Sequence, residues 1–307
     1  MTSDTTHTRF DAHSTVGDVL AGIDLTGRTA LVTGGYSGLG LATTRALARA
    51  GARVVVPALR PDAAQQALAD VAGVEIDKLD LADLASVHAF AERFVRSHPA
   101  LDILIASAGV MACPETRVGP GWEAHFAINH LGHYALANLL WPALTAADTA
   151  RVVSVASGRD PAWRIQWDDV QFERGYDKWK AYTQSKLANI LFAHHLDLLG
   201  RPHRVRAFSV NPGWILTPLQ RHLAGEEMVA AGWVDADGTP APGLFKTVEQ
   251  GAATQVWAAT SPHLDANGGD YCVDCRITTD SPTDSSEAAR LWALSADLTG
   301  LDLIDRA

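Results

Sequence analysis

A glycine-rich segment between a predicted strand and a predicted helix limits the possible fold more than any other feature of this sequence. The run Arg28-Thr-Ala-Leu-Val-Thr33 is typical of a buried strand, and residues 38–50 are typical of an Ala/Leu-rich helix. Between them, Gly34, Gly38 and Gly40 let the main chain turn sharply and approach a pyrophosphate, and the helix directs its first amides at that anion. A glycine-rich turn can be purely structural, but its place between a first strand and a first helix favours a dinucleotide-binding site.

Strand-like and helix-like segments alternate along the first two thirds of the chain. The predicted strands are 28–33, 53–56, 74–79, 101–106, 151–156 and 204–210, and the predicted helices are 38–50, 61–71, 83–97, 122–140 and 178–199. Such alternation with short connections is typical of an α/β protein with a doubly wound, Rossmann-type parallel sheet. We therefore expect a single domain over residues 24–307, preceded by an N-terminal extension at 1–23.

Composition and charge restrict the partners of this fold. The chain carries 35 Asp and Glu against 25 Lys and Arg, a formal net charge of −10, which argues against nucleic acid as the main partner. No apolar stretch approaches the roughly 20 residues that span a bilayer, and the polar N-terminus lacks the pattern of a secretory signal. We therefore expect a cytoplasmic protein without membrane insertion.

A CxxC motif, formed by Cys272 and Cys275, is the one cysteine pattern in the chain. No second ligand pair accompanies it, so we expect no metal site. We interpret both cysteines as small buried residues; a metal or redox role is the alternative.

Tyr182 and Lys186 are the strongest candidates for catalysis, because side chains four residues apart on a predicted helix share one face. A free tyrosine has a pKa of about 10, and a nearby lysine cation favours the phenolate and so lowers that pKa. Such a pair alone is often only part of a helix surface. Ser157, at the carboxyl end of the fifth strand, could bond a substrate oxygen, and Asn129, in an apolar helix face, indicates a polar network; a hydrogen-bonded core asparagine is the alternative.

Together these motifs resemble the short-chain dehydrogenase/reductase family, and most closely its retinol-dehydrogenase and protochlorophyllide-reductase-like members. The resemblance runs from Asp24 to about Trp292. It rests on the GxxxGxG loop, Asp80-Leu81, Asn129-His-Leu-Gly-His133, Tyr182-Thr-Gln-Ser-Lys-Leu-Ala-Asn189, Asn211-Pro-Gly-Trp-Ile-Leu-Thr217 and Gly268-Gly-Asp-Tyr-Cys-Val-Asp-Cys275. It implies the strand order 3-2-1-4-5-6-7 and a hydride transfer between NAD(P) and a carbonyl or alcohol carbon.

The resemblance also implies a catalytic set of four residues. Tyr182 would exchange a proton with the substrate oxygen, and Lys186 would bind the nicotinamide ribose. Ser157 would orient the substrate, and Asn129 would hold a water that relays protons. The residues implied to contact the cofactor are Gly34, Ser37, Gly38, Leu39, Gly40, Arg60, Asp80, Leu81, Ala108, Gly109, Tyr182, Lys186, Pro212, Gly213, Ile215 and Thr217.

Cofactor choice depends on the end of the second strand. No acidic residue follows Val56 there to bind the adenine-ribose hydroxyls, and Arg60 is available for a 2′-phosphate, although a solvated surface arginine is the other interpretation. NADP(H) is therefore favoured, and NAD(H) is the alternative. The arginine of NADP-using relatives aligns with Leu59 rather than with Arg60. A second departure is Ala106-Ser-Ala-Gly109, where the family usually has Asn-Asn-Ala-Gly; we expect Ser107 to replace part of the missing hydrogen bonding.

Aromatic residues are concentrated in two segments that should cover the site, at about 158–180 and 214–245. They are Trp163, Trp167, Phe172, Trp179, Trp214, Trp233 and Phe245. They favour an apolar small-molecule carbonyl or alcohol as substrate, or else they simply pack these segments onto the body. The chain could act as a homodimer or homotetramer.

Two other functions remain open at this point. One is a non-catalytic NADP(H)-sensing regulator, which would not need all four residues of the catalytic set. The other is a sugar-nucleotide-modifying enzyme with the same Tyr/Lys pair, against which the glycine spacing and the lack of a large C-terminal domain both count.

Overall fold

A central sheet of eight strands organises the computed structural model, which describes residues 9–158, 162–278 and 284–305. The strands are β1 (Thr29–Val32), β2 (Arg53–Ala58), β3 (Val74–Lys78), β4 (Ile103–Ala106), β5 (Arg117–Val118), β6 (Trp122–Glu123), β7 (Ala150–Val155), β8 (Val205–Asn211), β9 (Tyr271–Val273) and β10 (Arg276–Ile277). Their order across the sheet is β10-β9-β8-β7-β4-β1-β2-β3, while β5 and β6 pair separately. Among the strands that the structure describes in this sheet, β9 and β10 alone pair antiparallel. The seven parallel strands thus have the order 3-2-1-4-5-6-7, and β10 is an additional edge strand that the sequence did not indicate.

Helices cover both faces of this sheet. They are α1 (Val16–Leu20), α2 (Gly38–Arg49), α3 (Pro61–Ala67), α4 (Leu84–Ser97), α5 (Gly132–Leu139), α6 (Trp141–Ala146), α7 (Lys178–Gly200), α8 (Gly225–Ala230), α9 (Val248–Thr260) and α10 (Ser285–Thr299). A π-helical segment (Phe126–Leu131) leads into α5, and short 3-10 turns occur at Arg201–His203, Pro218–Gln220 and Pro262–Leu264. None of the described helices is both long and apolar enough to cross a membrane.

Successive residues of the central strands pack into two different cores, one on each face. Leu31 and Leu104 join the cluster beneath α4, α5 and α7. Val32 and Ile105 join the cluster beneath α2 and α9. Every residue of β4 is buried, as a continuous apolar run in a covered parallel sheet predicts.

The N-terminal region contributes to the second of these cores. Val16 and Val19 of α1 are buried in the cluster beneath α2 and α9. The described part of the predicted extension therefore packs on the body, and residues 1–8 of that extension lie outside the described residues.

The segment that the sequence predicted as one helix over 122–140 is interrupted. Its first two residues form β6, the π-helical segment follows, and α5 completes it. The buried Glu123 carboxylate accepts hydrogen bonds of 3.0 and 2.8 Å from the main-chain N–H groups of His125 and Phe126, so the helix begins only after it. The prediction of one continuous helix is wrong, because apolar spacing alone does not distinguish a π turn from an α turn.

Candidate active site

A cavity of about 980 Å³ lies where β1, β2, β4, β7 and β8 end at their carboxyl edge. Parallel α/β sheets bind ligands at this edge. The cavity is lined by all the residues that the sequence assigned to cofactor contact: Gly34, Ser37, Gly38, Leu39, Gly40, Arg60, Asp80, Leu81, Ala108, Gly109, Tyr182, Lys186, Pro212, Gly213, Ile215 and Thr217. Ser157 lines it as well, whereas Asn129 is fully buried behind its wall.

The loop between β1 and α2 has the tight main-chain packing that a phosphate cradle needs. Gly34 has a φ of +66°, and a Cβ there would lie 3.0 Å from the Ala108 Cα. A Cβ on Gly40 would lie 2.3 Å from the Gly34 carbonyl oxygen, so no side chain fits. The hydroxyl of Ser37, the N-cap of α2, makes no cap hydrogen bond and so does not occupy the amides of the first turn. These residues therefore fit the pyrophosphate of a dinucleotide.

α7 places Tyr182 and Lys186 together in the cavity wall. The helix begins after Asp177, whose carboxylate accepts hydrogen bonds from two amides of the first turn. Both side chains are buried, and the Lys186 Nζ lies 5.8 Å from the centre of the Tyr182 ring. The ammonium donates a 3.0 Å hydrogen bond to the Val155 carbonyl at the end of β7. The helix and the strand therefore fix the position of the cation together.

Burial dominates the acid–base properties of both groups. It raises the pKa of Tyr182 to about 12, while a hydrogen bond with Ser157 acts in the opposite direction. Burial also lowers the pKa of Lys186 to about 8. The lowered tyrosine pKa expected from the Tyr/Lys spacing is therefore not found in the free chain, because desolvation of the phenolate outweighs the hydrogen bond with Ser157. At neutral pH the phenol is protonated and can donate.

Ser157 lies just beyond the end of β7, and its main-chain carbonyl is bonded from β9, two strands away in the sheet. Its carbonyl oxygen accepts a 2.7 Å hydrogen bond from the hydroxyl of Tyr271, a buried residue of β9. The sequence indicated Tyr271 only as part of a motif, because the pairing of β8 with β9 is what brings it near the site. Residues 159–161 of the first predicted covering segment lie outside the described residues.

Asn129 lies in the π-helical segment and joins two sides of the site. Its Oδ1 accepts a 2.8 Å hydrogen bond from the Val110 N–H, and its Nδ2 donates to the Val110 carbonyl at 3.0 Å and to the Ser185 Oγ at 2.9 Å. The Ser185 hydroxyl in turn donates to the Tyr182 carbonyl at 2.7 Å. The amide therefore connects the loop after β4 to the helix turn that carries Tyr182.

Two cations lie near the end of β2, and one of them, Arg60, lines the cavity. Arg60 is exposed at the start of α3. Lys78, at the end of β3, donates a 2.5 Å hydrogen bond to the Leu59 carbonyl. Lys78 does not itself line the cavity; the pairing of Ala58 with Lys78 brings it beside the end of β2, and no local sequence pattern indicated this position.

Aromatic side chains of the two covering segments enclose the other end of the cavity. Trp163, Trp179, Trp214, Trp233 and Phe245 line it. The Trp233 ring lies 5.1 Å from the Trp214 ring and 6.2 Å from the Trp179 ring, centre to centre, and both pairs meet edge to face. Trp167 and Phe172, which the sequence grouped with them, do not line the cavity: Trp167 packs against the Arg290 guanidinium, and Phe172 is buried beside Tyr176.

Cys272 and Cys275 are both buried. Burial raises the pKa of Cys275 to about 12, which disfavours a reactive thiolate. Within the described ranges, no group of three or more His, Cys, Asp or Glu side chains could hold a metal ion.

Comparisons with known proteins agree with this architecture. Residues 28–227 match the protein family described as short chain dehydrogenase. A probable oxidoreductase from Streptomyces lividans is 43% identical over 296 residues, which cover 90% of this chain and 98% of that protein. Retinol dehydrogenase 12 from Homo sapiens is 35% identical over 291 residues, covering 91% and 88%. Among solved structures, an uncharacterized protein from Mycobacterium paratuberculosis is similar with a TM-score of 0.74 and 32% identity, over 95% of this chain and 99% of that chain.

Proposed function

Because this chain belongs to the short-chain dehydrogenase/reductase family of NAD(P)-binding oxidoreductases, we propose that it interconverts a carbonyl and an alcohol on an apolar small molecule. The proposal rests mainly on one observation: the glycine loop, Ser157, Tyr182 and Lys186 all line the same cavity. Such a cavity accepts a dinucleotide at one end and a small organic substrate at the other.

NADP(H) is the proposed cofactor, and when bound it supplies or accepts the hydride. The glycine loop and the first turn of α2 would hold its pyrophosphate, and Lys186 would hold the nicotinamide ribose. Arg60 and Lys78 provide positive charge for a 2′-phosphate, and the residues at the end of β2 include no carboxylate that would repel it.

Tyr182 is the proposed general acid and base. In the direction of reduction, its Oη–H gives its proton to the substrate oxygen as that oxygen gains electrons, and in oxidation the phenolate takes the proton back. The Ser157 hydroxyl would bond the same oxygen and orient it. The phenolate left after donation is stabilised by the buried Lys186 ammonium, since an opposite charge nearby favours the ionised form. Asn129, which is buried behind the cavity wall, would fix the loop after β4 relative to the turn of α7 that carries Tyr182.

An apolar substrate is favoured by the lining of the cavity beyond Tyr182. The side chains there include Met111 and Leu219 as well as the five aromatic residues named above. Retinol dehydrogenase 12, by its name, acts on an apolar alcohol. Each methylene that such a lining removes from water contributes about 0.8 kcal/mol to binding.

A panel of carbonyl compounds with NADPH, followed at the nicotinamide absorbance, tests the proposal. Long-chain or aromatic aldehydes should exceed glyceraldehyde in kcat/KM by at least about a hundredfold. Preference for the small polar aldehyde would refute the substrate class, and turnover of none would refute the activity. Arg60→Ala should raise the Kd of NADPH about tenfold and leave that of NADH unchanged; equal effects on both cofactors would contradict the 2′-phosphate assignment.

A further inference from the structure

His133 does not line the cavity, but it bonds residues of two segments that lie beside it: Asn129 in the π-helical segment and Thr33 just after β1. It is 3% exposed and lies near the start of α5, four residues after Asn129. Its Nδ1 lies 3.0 Å from the Asn129 carbonyl oxygen. Its Nε2 lies 2.8 Å from the Oγ1 of Thr33, the residue that precedes the glycine loop.

The partners of the imidazole determine which nitrogen carries its proton. A carbonyl oxygen only accepts, so Nδ1 must carry the hydrogen that bonds to Asn129. Burial, reinforced by the charge of Lys186, lowers the pKa of His133 to about 4, so the ring is neutral at physiological pH. Nε2 is then an acceptor, and the Thr33 hydroxyl, which has one hydrogen, donates it to Nε2 at 2.8 Å rather than to the Ile105 carbonyl at 3.4 Å.

Thr33 extends the connection to the loop after β4. Its Oγ1 accepts hydrogen bonds of 2.9 and 3.0 Å from the main-chain N–H groups of Ser107 and Ala108. Ser107 and Ala108 lie in Ala106-Ser-Ala-Gly109, the segment that departs from the usual motif of the family. Their hydrogen bonds to Thr33 come from the main-chain amides. Donors and acceptors match along the whole path from the amides through Thr33 and His133 to Asn129.

The path connects cofactor-contacting and substrate-side elements. A Cβ on Gly109 would lie 2.8 Å from the Asn129 Oδ1 and 3.8 Å from the Lys186 Nζ, so the loop after β4, the π-helical segment and α7 meet closely at this point. The Asn129 side chain therefore lies where the loop after β4 and α7 come closest to each other.

We propose that His133 is a positioning residue: through Asn129 on one side and Thr33 on the other, it sets the π-helical segment and the cofactor-binding turn relative to each other. This inference rests on the proposed function. It predicts that both cofactor affinity and turnover depend on a side chain that contacts neither cofactor nor substrate.

Two conservative substitutions separate the two bonds of the ring. An asparagine amide nitrogen can replace Nδ1, and a glutamine amide oxygen can replace Nε2. His133→Asn should keep the bond to Asn129 and lose the one to Thr33, so the Kd of NADPH should rise about tenfold with little change in kcat. His133→Gln should show the opposite pattern, a kcat about tenfold lower with little change in Kd. His133→Phe should show both losses.

His130→Phe is the matched control. His130 is equally buried one turn earlier, but its Nε2 contacts the Ser295 Oγ of α10, away from the cavity. The control should lower thermal stability while leaving the Kd of NADPH and kcat near those of the wild type. If His133→Phe matches His130→Phe in all three measurements, His133 is merely structural and the proposal is wrong.

Nitrogen-15 spectra of the imidazole give a readout that is independent of activity. They should show a neutral ring with its proton on Nδ1 at pH 7, and Thr33→Val should shift the Nε2 resonance. An Nε2–H tautomer, or an Nε2 resonance that Thr33→Val leaves unchanged, would overturn the proposal even in an active enzyme. A wild type that binds no dinucleotide would instead refute the proposed function, while the spectra would still test the hydrogen bonds.

Discussion

Replacing Asn129 by leucine should cost both stability and turnover, whereas the same replacement at Asn138 should cost stability alone. The two asparagines are matched, because each is fully buried and its side chain makes three hydrogen bonds within the described part of the chain. Asn138 bonds the Tyr134 carbonyl and the amides of Leu303 and Ile304, near the C-terminus and not in the cavity wall.

The expected size of the stability loss follows from the groups that lose partners. Leucine at Asn129 leaves the Val110 N–H, the Val110 carbonyl and the Ser185 hydroxyl without this amide. An unsatisfied buried polar group costs about 1–3 kcal/mol, and the apolar surface of leucine offsets part of that cost. We therefore expect each variant to lower the free energy of unfolding by about 3 kcal/mol, which urea denaturation measures.

Activity should distinguish the two variants. Asn129→Leu removes the link from the loop after β4 to the turn that carries Tyr182, so kcat should fall at least about a hundredfold at saturating NADPH. Asn138→Leu should keep kcat within about twofold of the wild type, since its partners lie outside the site. Equal losses of kcat in both variants, or an unchanged kcat in Asn129→Leu, would refute the positioning role of Asn129.

Two further predictions follow from the glycine loop and from the buried histidines. Gly40→Ala should weaken NADPH binding at least about tenfold in a fluorescence titration, because its Cβ would lie 2.3 Å from the Gly34 carbonyl oxygen. Gly225→Ala is the control, because its Cβ would meet nothing within 4 Å. Equal NADPH affinities for the two variants would contradict the role of the glycine loop in binding the pyrophosphate. Acid should destabilise the fold, because burial lowers the pKa of His130 to about 3 and that of His133 to about 4, so the unfolded chain binds protons first as pH falls below 6.5. Each histidine should reduce the free energy of unfolding by about 2 kcal/mol at pH 5 relative to neutral pH, and His130→Phe should remove its share; a loss of stability that is the same in wild type and variant would contradict this assignment.

Local pattern predicted the parallel sheet, and the family resemblance supplied the strand order and most of the residues around the cavity. The strand–glycine–helix run at 28–50 and the apolar runs that follow it imply parallel strands, and parallel strands place their carboxyl ends at one edge. That is why residues as distant as Gly34, Ser157 and Tyr182 line one cavity.

Features that leave no local signal in the sequence could not be predicted. The π-helical segment keeps an apolar spacing that resembles that of an α-helix, and the Glu123 bonds that delay the helix start leave no separate signal in the sequence. Lys78 lies beside the end of β2 through strand pairing, and His133 contacts Thr33, a hundred residues earlier in the chain. The direction of the Tyr182 pKa shift also depends on burial, which the Tyr/Lys spacing does not reveal.

Tyr182 is the proposed carrier of the proton that accompanies hydride transfer. The most direct test compares wild type and Tyr182→Phe in NADPH binding, followed by nicotinamide fluorescence, and in turnover of the best aldehyde of the panel. The change removes one hydroxyl from a buried ring, so the Kd of NADPH should stay within about twofold, while kcat should fall by at least about a thousandfold. If Tyr182→Phe still binds NADPH and keeps the wild-type kcat, Tyr182 is not the proton carrier.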